Sequence, residues 1–291
     1  MGDSPSSNLP EAMVEAILRH PGYLEADQDV AFLREPETRG VRLQLDYLKA
    51  ELLLRQHGVA HTIVVFGGTR LIEPALARQA LVDAEAALAT HPTDAARRRD
   101  LAIAWRRVHN APYYDVARSF GRLVGEASQC GRDGRILIMT GGGPGAMEAA
   151  NRGAHDQGCP SIGLNIALPR EQAPNPYLSP DLSFSFHYFA IRKLHFVLRA
   201  RALVVFPGGY GTLDELFEIL TLVQTRKMTP LPIILVGEAY WRRVFNVDVL
   251  VDEGMIDPED ATLFGFAETA EGIWGDILAW YDRAGTPLLA R

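Results

Sequence analysis

The sequence predicts an α/β fold: a Rossmann-like parallel sheet flanked by helices, with an N-terminal helical extension. Three observations carry that expectation. Short, continuously apolar runs alternate with helix-patterned segments of ten or more residues, as in parallel strands covered on both faces. Three of those runs end directly in glycine-rich loops, which leave backbone N–H groups bare at a helix start. A chain of 291 residues with 47% hydrophobic content is also long enough to bury one large core.

In order along the chain, residues 1–60 form the extension, a polar start followed by helices. The clearest helix runs from Val41 to Gln56, where Val41, Leu45, Leu48 and Leu52 recur at helical spacing, and Gly58 ends it. Residues 61–291 are expected to form the Rossmann-like domain. Its first strand, Thr62 to Phe66, runs into Gly67-Gly68-Thr69-Arg70. Residues 71–110, rich in alanine and arginine and broken by Pro74 and Pro92, read as a helical insertion. A helix from about Asp115 to Ser128 carries Val116, Phe120, Leu123 and Val124 on one stripe. The strand Arg135 to Met139 then enters the loop Thr140 to Gly145, and the following helix bears Met147, Glu148 and Asn151. Further strands are legible at Ser161 to Ala167, Leu182 to Phe186, Ala202 to Phe206 and Pro232 to Val236, while Pro169 to Pro180, with four prolines, is a loop.

Composition excludes several classes of function. A net charge of -7 and a pI near 5.6 argue against a nucleic-acid surface, so any bound anion is held locally. No apolar stretch is long enough for a membrane span. Met1 to Ser6 fits a loose myristoylation pattern, but no second membrane signal accompanies it. Cys130 and Cys159 are the only cysteines; they read as small buried hydrophobes and point to a reducing cytoplasm. Lys49, Lys193 and Lys227 are the only lysines, and no metal-ligand cluster is legible.

The strongest functional signal is Pro207-Gly208-Gly209-Tyr210-Gly211-Thr212, followed by Leu213-Asp214-Glu215. Thr212 and Glu215 have the spacing of a capping box, a purely structural device. A cap does not need the three glycines before it, which are expected where the backbone takes positive φ or closely approaches something. A phosphate on the N–H groups of Gly209 to Thr212 leaves Glu215 one turn away, beside the sugar of a nucleoside monophosphate. The loop Gly141 to Ala146 formally matches a dinucleotide fingerprint, but the next strand ends at Asn165-Ile166-Ala167 without the acid that would hold a ribose. Neither nicotinamide nor flavin is therefore expected, and with no Gly-Lys-[Ser/Thr] there is no Walker loop. The helix Phe189 to Ala200 is apolar on two sides, which predicts covering on both and leaves Arg192 partly buried, either in a structural salt bridge or against a ligand anion. His187 and Tyr188 are candidates to contact a base, and Glu148 could serve either the ligand or its own helix start.

Phe189-Ala190-Ile191-Arg192-Lys193 together with Pro207 to Glu215 resembles the paired signature of the LONELY GUY (LOG) family, nucleoside-monophosphate phosphoribohydrolases once labelled lysine decarboxylases. Every fixed position of PGGxGTxxE is matched, and the resemblance spans about residues 60–260. It implies a homodimer or larger homo-oligomer that cleaves the N-glycosidic bond of AMP or a cytokinin riboside monophosphate without a cofactor. Arg192 and Glu215 are the implied catalytic pair. Substrate binding is expected from Gly208, Gly209, Tyr210, Gly211 and Thr212, from Gly142, Gly143, Gly145 and Glu148, and from Lys193, Gly67 and Gly68. Phe189-Ala190-Ile191 stands where many members carry Met-His-Glu, so the base contacts are expected to differ. The alternative is a carrier or sensor that holds a nucleotide or a nucleotide-like cofactor on the same loops without chemistry.

Overall fold

The computed structural model describes residues 9–129, 136–166 and 173–288. Met1 to Ser6, Cys130, Arg135, Ala167 and the start of the Pro169 loop lie outside them. The chain divides into two compact units, Met1–Lys49 and Ala50–Arg291.

In the first unit, α1 (Leu9–Leu18) is followed by three short 3-10 turns and the start of α2 (Arg39–Gln56). Buried Thr38 and the Arg42 guanidinium tie the last turns together by donating to the carbonyls of Leu33 and Glu35. Along α2 the expected stripe does not form the buried face: Val41, Leu45 and Leu52 are exposed, whereas Ala50 and Leu54, one turn apart, are buried. Spacing reports that a helix has an apolar face, not that the fold covers it.

The second unit is the predicted α/β fold. Seven parallel strands are ordered β4-β3-β2-β1-β5-β6-β7. They are β1 (His61–Phe66), β2 (Ile136–Thr140), β3 (Ile162–Ile166), β4 (Ser183–Phe186), β5 (Ala200–Val205), β6 (Ile233–Val236) and β7 (Gly265–Ala267). The edge strand β7 was not legible, because Gly265-Phe266-Ala267 is too short to show a pattern. Alternate residues of β1 feed opposite cores, Ile63 and Val65 one and Val64 and Phe66 the other. The first core is closed by α5 (Pro112–Ala127), α6 (Ala146–Asp156) and α11 (Ala270–Arg283). The second is closed by the end of α2, α7 (Phe189–Leu198), α8 (Tyr210–Gln224) and α9 (Glu238–Val244). Residues 71–110 supply α3 (Pro74–Thr90) and α4 (Ala95–Asn110), and α10 (Val247–Asp252) precedes β7. Among the described residues no helix is long and apolar enough to cross a membrane. Cys159 is buried but not a free thiol, which corrects its reading as a plain apolar side chain.

β1 lies between β2 and β5, so the strand order reverses there and a crevice opens at the carboxyl ends of those strands. All three glycine junctions fall on these neighbours: Gly67-Gly68 after β1, Gly141 to Gly145 after β2 and Gly208 to Gly211 after β5. The second junction is held by close packing of α6 on α5. A Cβ added to Gly153 would lie 2.0 Å from the Arg118 carbonyl oxygen, so the helices would have to part. Gly153→Ala is expected to cost about 1–3 kcal/mol, read as a lower urea midpoint; an unchanged midpoint would show that the helices yield freely.

Candidate active site

The loop after β5 starts α8 three residues earlier than the sequence suggests. Gly209 is the N-cap, no side chain caps the helix, and Thr212 is its third residue. The capping box is therefore absent. Thr212 is buried and Glu215, in the second turn, is 6% exposed and turned inward. The first-turn N–H groups of Tyr210, Gly211 and Thr212 have no intrahelical acceptor, an arrangement that suits an anion.

Of the two reasons expected for the glycines of this loop, positive φ does not apply, since Gly208, Gly209 and Gly211 all avoid it. Gly208 is required by packing: a Cβ there would meet the Thr212 hydroxyl oxygen at 2.1 Å. At Gly209 and Gly211 nothing lies within 4 Å of an added Cβ, so the fold by itself does not demand glycine at either position. Both positions stay open to the cavity. The loop is braced from below by the Tyr240 hydroxyl, which donates to the Gly208 carbonyl, and by the Gly68 N–H, which donates to Pro207 at 2.9 Å.

The junction after β2 is stiffened by a buried polar network. The Thr140 hydroxyl donates to Asn151 Oδ1 at 2.8 Å and accepts from the Gly142 N–H at 3.0 Å. Asn175 donates from its amide to the Gly143 carbonyl and to Asn151 Oδ1, each at 3.1 Å, and Asn151 donates onward to Ser161. With its partners present such a network holds one loop conformation. Gly145, with φ 82°, caps α6 where a Cβ would collide with the Gly68 carbonyl oxygen at 2.2 Å, locking the first two junctions together.

Between the junctions lies a cavity of ≈ 290 Å³. Arg192 and Glu215 face each other across it, Nη1 to Oε1 at 3.6 Å, with side chains 12% and 8% exposed. Arg192 Nε donates to the Leu164 carbonyl at 2.6 Å, and its guanidinium lies 5.0 Å from the Phe196 ring centroid and 5.8 Å from that of Phe189. Burial lowers the pKa of Arg192, against the pull of Glu215. Burial also pushes Glu215 up to about 7, with Arg192 and Lys193 opposing it. The pair thus sets a carboxyl that titrates near neutrality beside a permanent cation.

Of the expected substrate residues, Gly67, Gly68, Gly143, Gly209, Gly211 and Thr212 line this cavity. Gly208, Gly142 and Gly145 stand behind the lining as supports. Tyr210 is 92% exposed, and Glu148 accepts from the Tyr114 hydroxyl at 3.0 Å; neither lines the cavity. Lys193, next to Arg192 in sequence, points elsewhere and pairs with Asp214 at 2.7 Å and Glu218 at 3.1 Å. His187 and Tyr188 pack edge to face on each other, outside the lining. The sequence reading missed Thr69, Met147, Asn165 and Phe189, all of which line the cavity. Phe189 had been noted as apolar, and Asn165 as the residue ending a strand that lacks an acid. Helix α7 is covered on one side only, with Phe196 buried while Phe189, Leu194 and Leu198 are exposed.

The family described as "Possible lysine decarboxylase" matches residues 147–277. The cytokinin riboside 5'-monophosphate phosphoribohydrolase LOG of Oryza sativa subsp. japonica is 31% identical over 163 residues, which is 55% of this chain and 64% of that protein. The cytokinin riboside 5'-monophosphate phosphoribohydrolase LOG3 of Arabidopsis thaliana is 30% identical over 138 residues, 46% of this chain and 63% of that protein. Both matches span slightly under two thirds of the relative's length. Among solved structures, the molybdenum cofactor binding protein of Rippkaea orientalis is 18% identical, with a TM-score of 0.41 over 78% of this chain and 98% of that chain. The matched segment holds Met147, Asn165, Arg192 and the whole Gly208 to Glu215 loop, so the similarity to the LOG proteins covers residues that face the cavity.

Proposed function

We propose that this protein hydrolyses the N-glycosidic bond of a nucleoside 5'-monophosphate, AMP by default, to free base and ribose 5-phosphate. The observation that carries this reading is the inward-facing Glu215, uninvolved in capping, half-titrated near pH 7 and one turn from a phosphate-sized ring of bare N–H groups. Departure of the base leaves an oxocarbenium-like sugar. Glu215 as carboxylate stabilises that charge or takes a proton from the attacking water. Arg192 cannot give up a proton at neutral pH, so its part is to hold Glu215 ionised and in place. Protons for the leaving base come from solvent or another group. Phe189 and Met147 supply an apolar wall for the base.

Pyridoxal phosphate, which the family's description brings to mind, does not fit these residues. It requires a lysine free to form a Schiff base. Burial alone would lower the Lys193 pKa, but Asp214 and Glu218 hold it above the ordinary lysine value, and it does not line the cavity.

Incubation with a panel of nucleoside monophosphates, followed by chromatography for free base, tests the reaction directly. A panel in which every nucleotide binds and none releases its base would instead establish the carrier. Gly209→Ala separates binding from folding: stability is expected to stay within about 0.5 kcal/mol, while affinity for AMP drops at least about tenfold. Unchanged affinity would remove the phosphate from this loop.

A further inference from the structure

A second cavity, of ≈ 600 Å³, lies between α4 and α9 and is lined by Trp105, Tyr113, Tyr240, Arg106, His109 and Arg243 among others. We infer that it is a binding site for a nucleoside di- or triphosphate, distinct from the cavity between the glycine loops.

Its chemistry is one-sided. Trp105, Tyr113 and Tyr240 face it together with the basic side chains Arg106, His109 and Arg243 and the Asn110 amide, no aspartate or glutamate lines it, and neither Arg106 nor Arg243 has an ion-pair partner among the described residues. In a chain of net charge -7, two unpaired guanidiniums at one concavity form a local anion site that the overall charge does not explain. Trp105 is 55% exposed at that concavity, and an indole beside guanidiniums offers a stacking surface for a base while the cations take the phosphates. The volume falls within the range of small-ligand sites.

The α4 wall precedes the family-matched segment, whereas α9 lies inside it. This site is therefore built where the 71–110 helices meet the family fold. It also has a direct line to the first cavity: Tyr240 lines the second cavity, and its hydroxyl holds the Gly208 carbonyl of the phosphate loop. Occupancy is thus expected to stiffen residues 208–212. Nothing in this inference requires hydrolysis.

The test is calorimetric titration of the full chain with ADP, pyrophosphate and adenosine. ADP is expected to fill two sites per chain. Arg106→Glu with Arg243→Glu, both on exposed side chains, should remove one of them with at least a tenfold loss of affinity and an unchanged thermal midpoint. Gly209→Ala should weaken only the other. Trp105→Ala should weaken ADP at the second site and leave pyrophosphate there unaffected, while adenosine binds too weakly to register. Hydrogen exchange at 208–212 should slow when the second site fills, and that response should vanish in Tyr240→Phe. One ADP per chain, or two sites both indifferent to the Arg106/Arg243 change, would overturn the assignment. If the double variant fails to fold, the Trp105→Ala titration decides alone, with unchanged ADP affinity overturning it.

Discussion

Glu215→Gln is expected to lower turnover of AMP by about 10²–10⁴-fold, the range for removing a general acid or base, while AMP binding persists. Stability is expected to move the opposite way. An unfolded glutamate titrates near 4.5 and the folded Glu215 near 7. The folded state therefore retains a proton that the unfolded chain has lost between those values. The stability linked to that proton is fully present below pH 4.5 and is lost as pH rises through about 7. Above that the buried charge costs roughly 3 kcal/mol, and glutamine, which resembles the protonated form, does not carry it. Melting curves of wild type and variant should thus separate as pH is raised from 5 to 8, the variant being the more stable. A capping glutamate would give the reverse, a loss of stability with little change in rate. The wild-type kcat/KM should also rise with pH through a single ionisation near 7, and this limb should be missing from the variant's residual activity.

Arg192→Gln is expected to shift that limb rather than erase it. At 3.6 Å the guanidinium is the main charge holding Glu215 ionised against burial. Without it the carboxyl should titrate at least about one pH unit higher, and activity at pH 7 should fall roughly fivefold for the first unit. At high pH much of the loss should be recovered. The change is not expected to unfold the protein, because an abandoned buried carboxyl can protonate, which a trapped charge could not. Arg192→Lys, keeping charge but losing the Nε bond to Leu164 and the stacking on Phe196, should return the limb part of the way. A limb that stays near 7 in Arg192→Gln would show that the two side chains are merely neighbours.

Lys193 and Arg192 illustrate where reading along the chain fails. Successive helical residues point about 100° apart, so adjacency in sequence sends one side chain into the cavity and the other to Asp214 and Glu218 on α8. The same limit explains the false capping box. Thr212 and Glu215 have the spacing, but the helix begins where the loop after β5 turns, and Tyr240 and Gly68 fix that turn from distant positions. Asn165 and Phe189 carried no motif and became site residues only when β3 and α7 met at the crevice.

The strand and helix alternation, the three glycine junctions and the Arg192 and Glu215 candidates were determined by the sequence alone, because each depends on local pattern or on residue types that few folds require at such spacing. Tertiary structure decided which junctions share one crevice, which side of α7 is covered, and that Glu215 is buried against Arg192 instead of capping its helix. Strand order and burial are non-local: they depend on which surfaces meet, and the charge state of a carboxyl depends in turn on what those surfaces exclude.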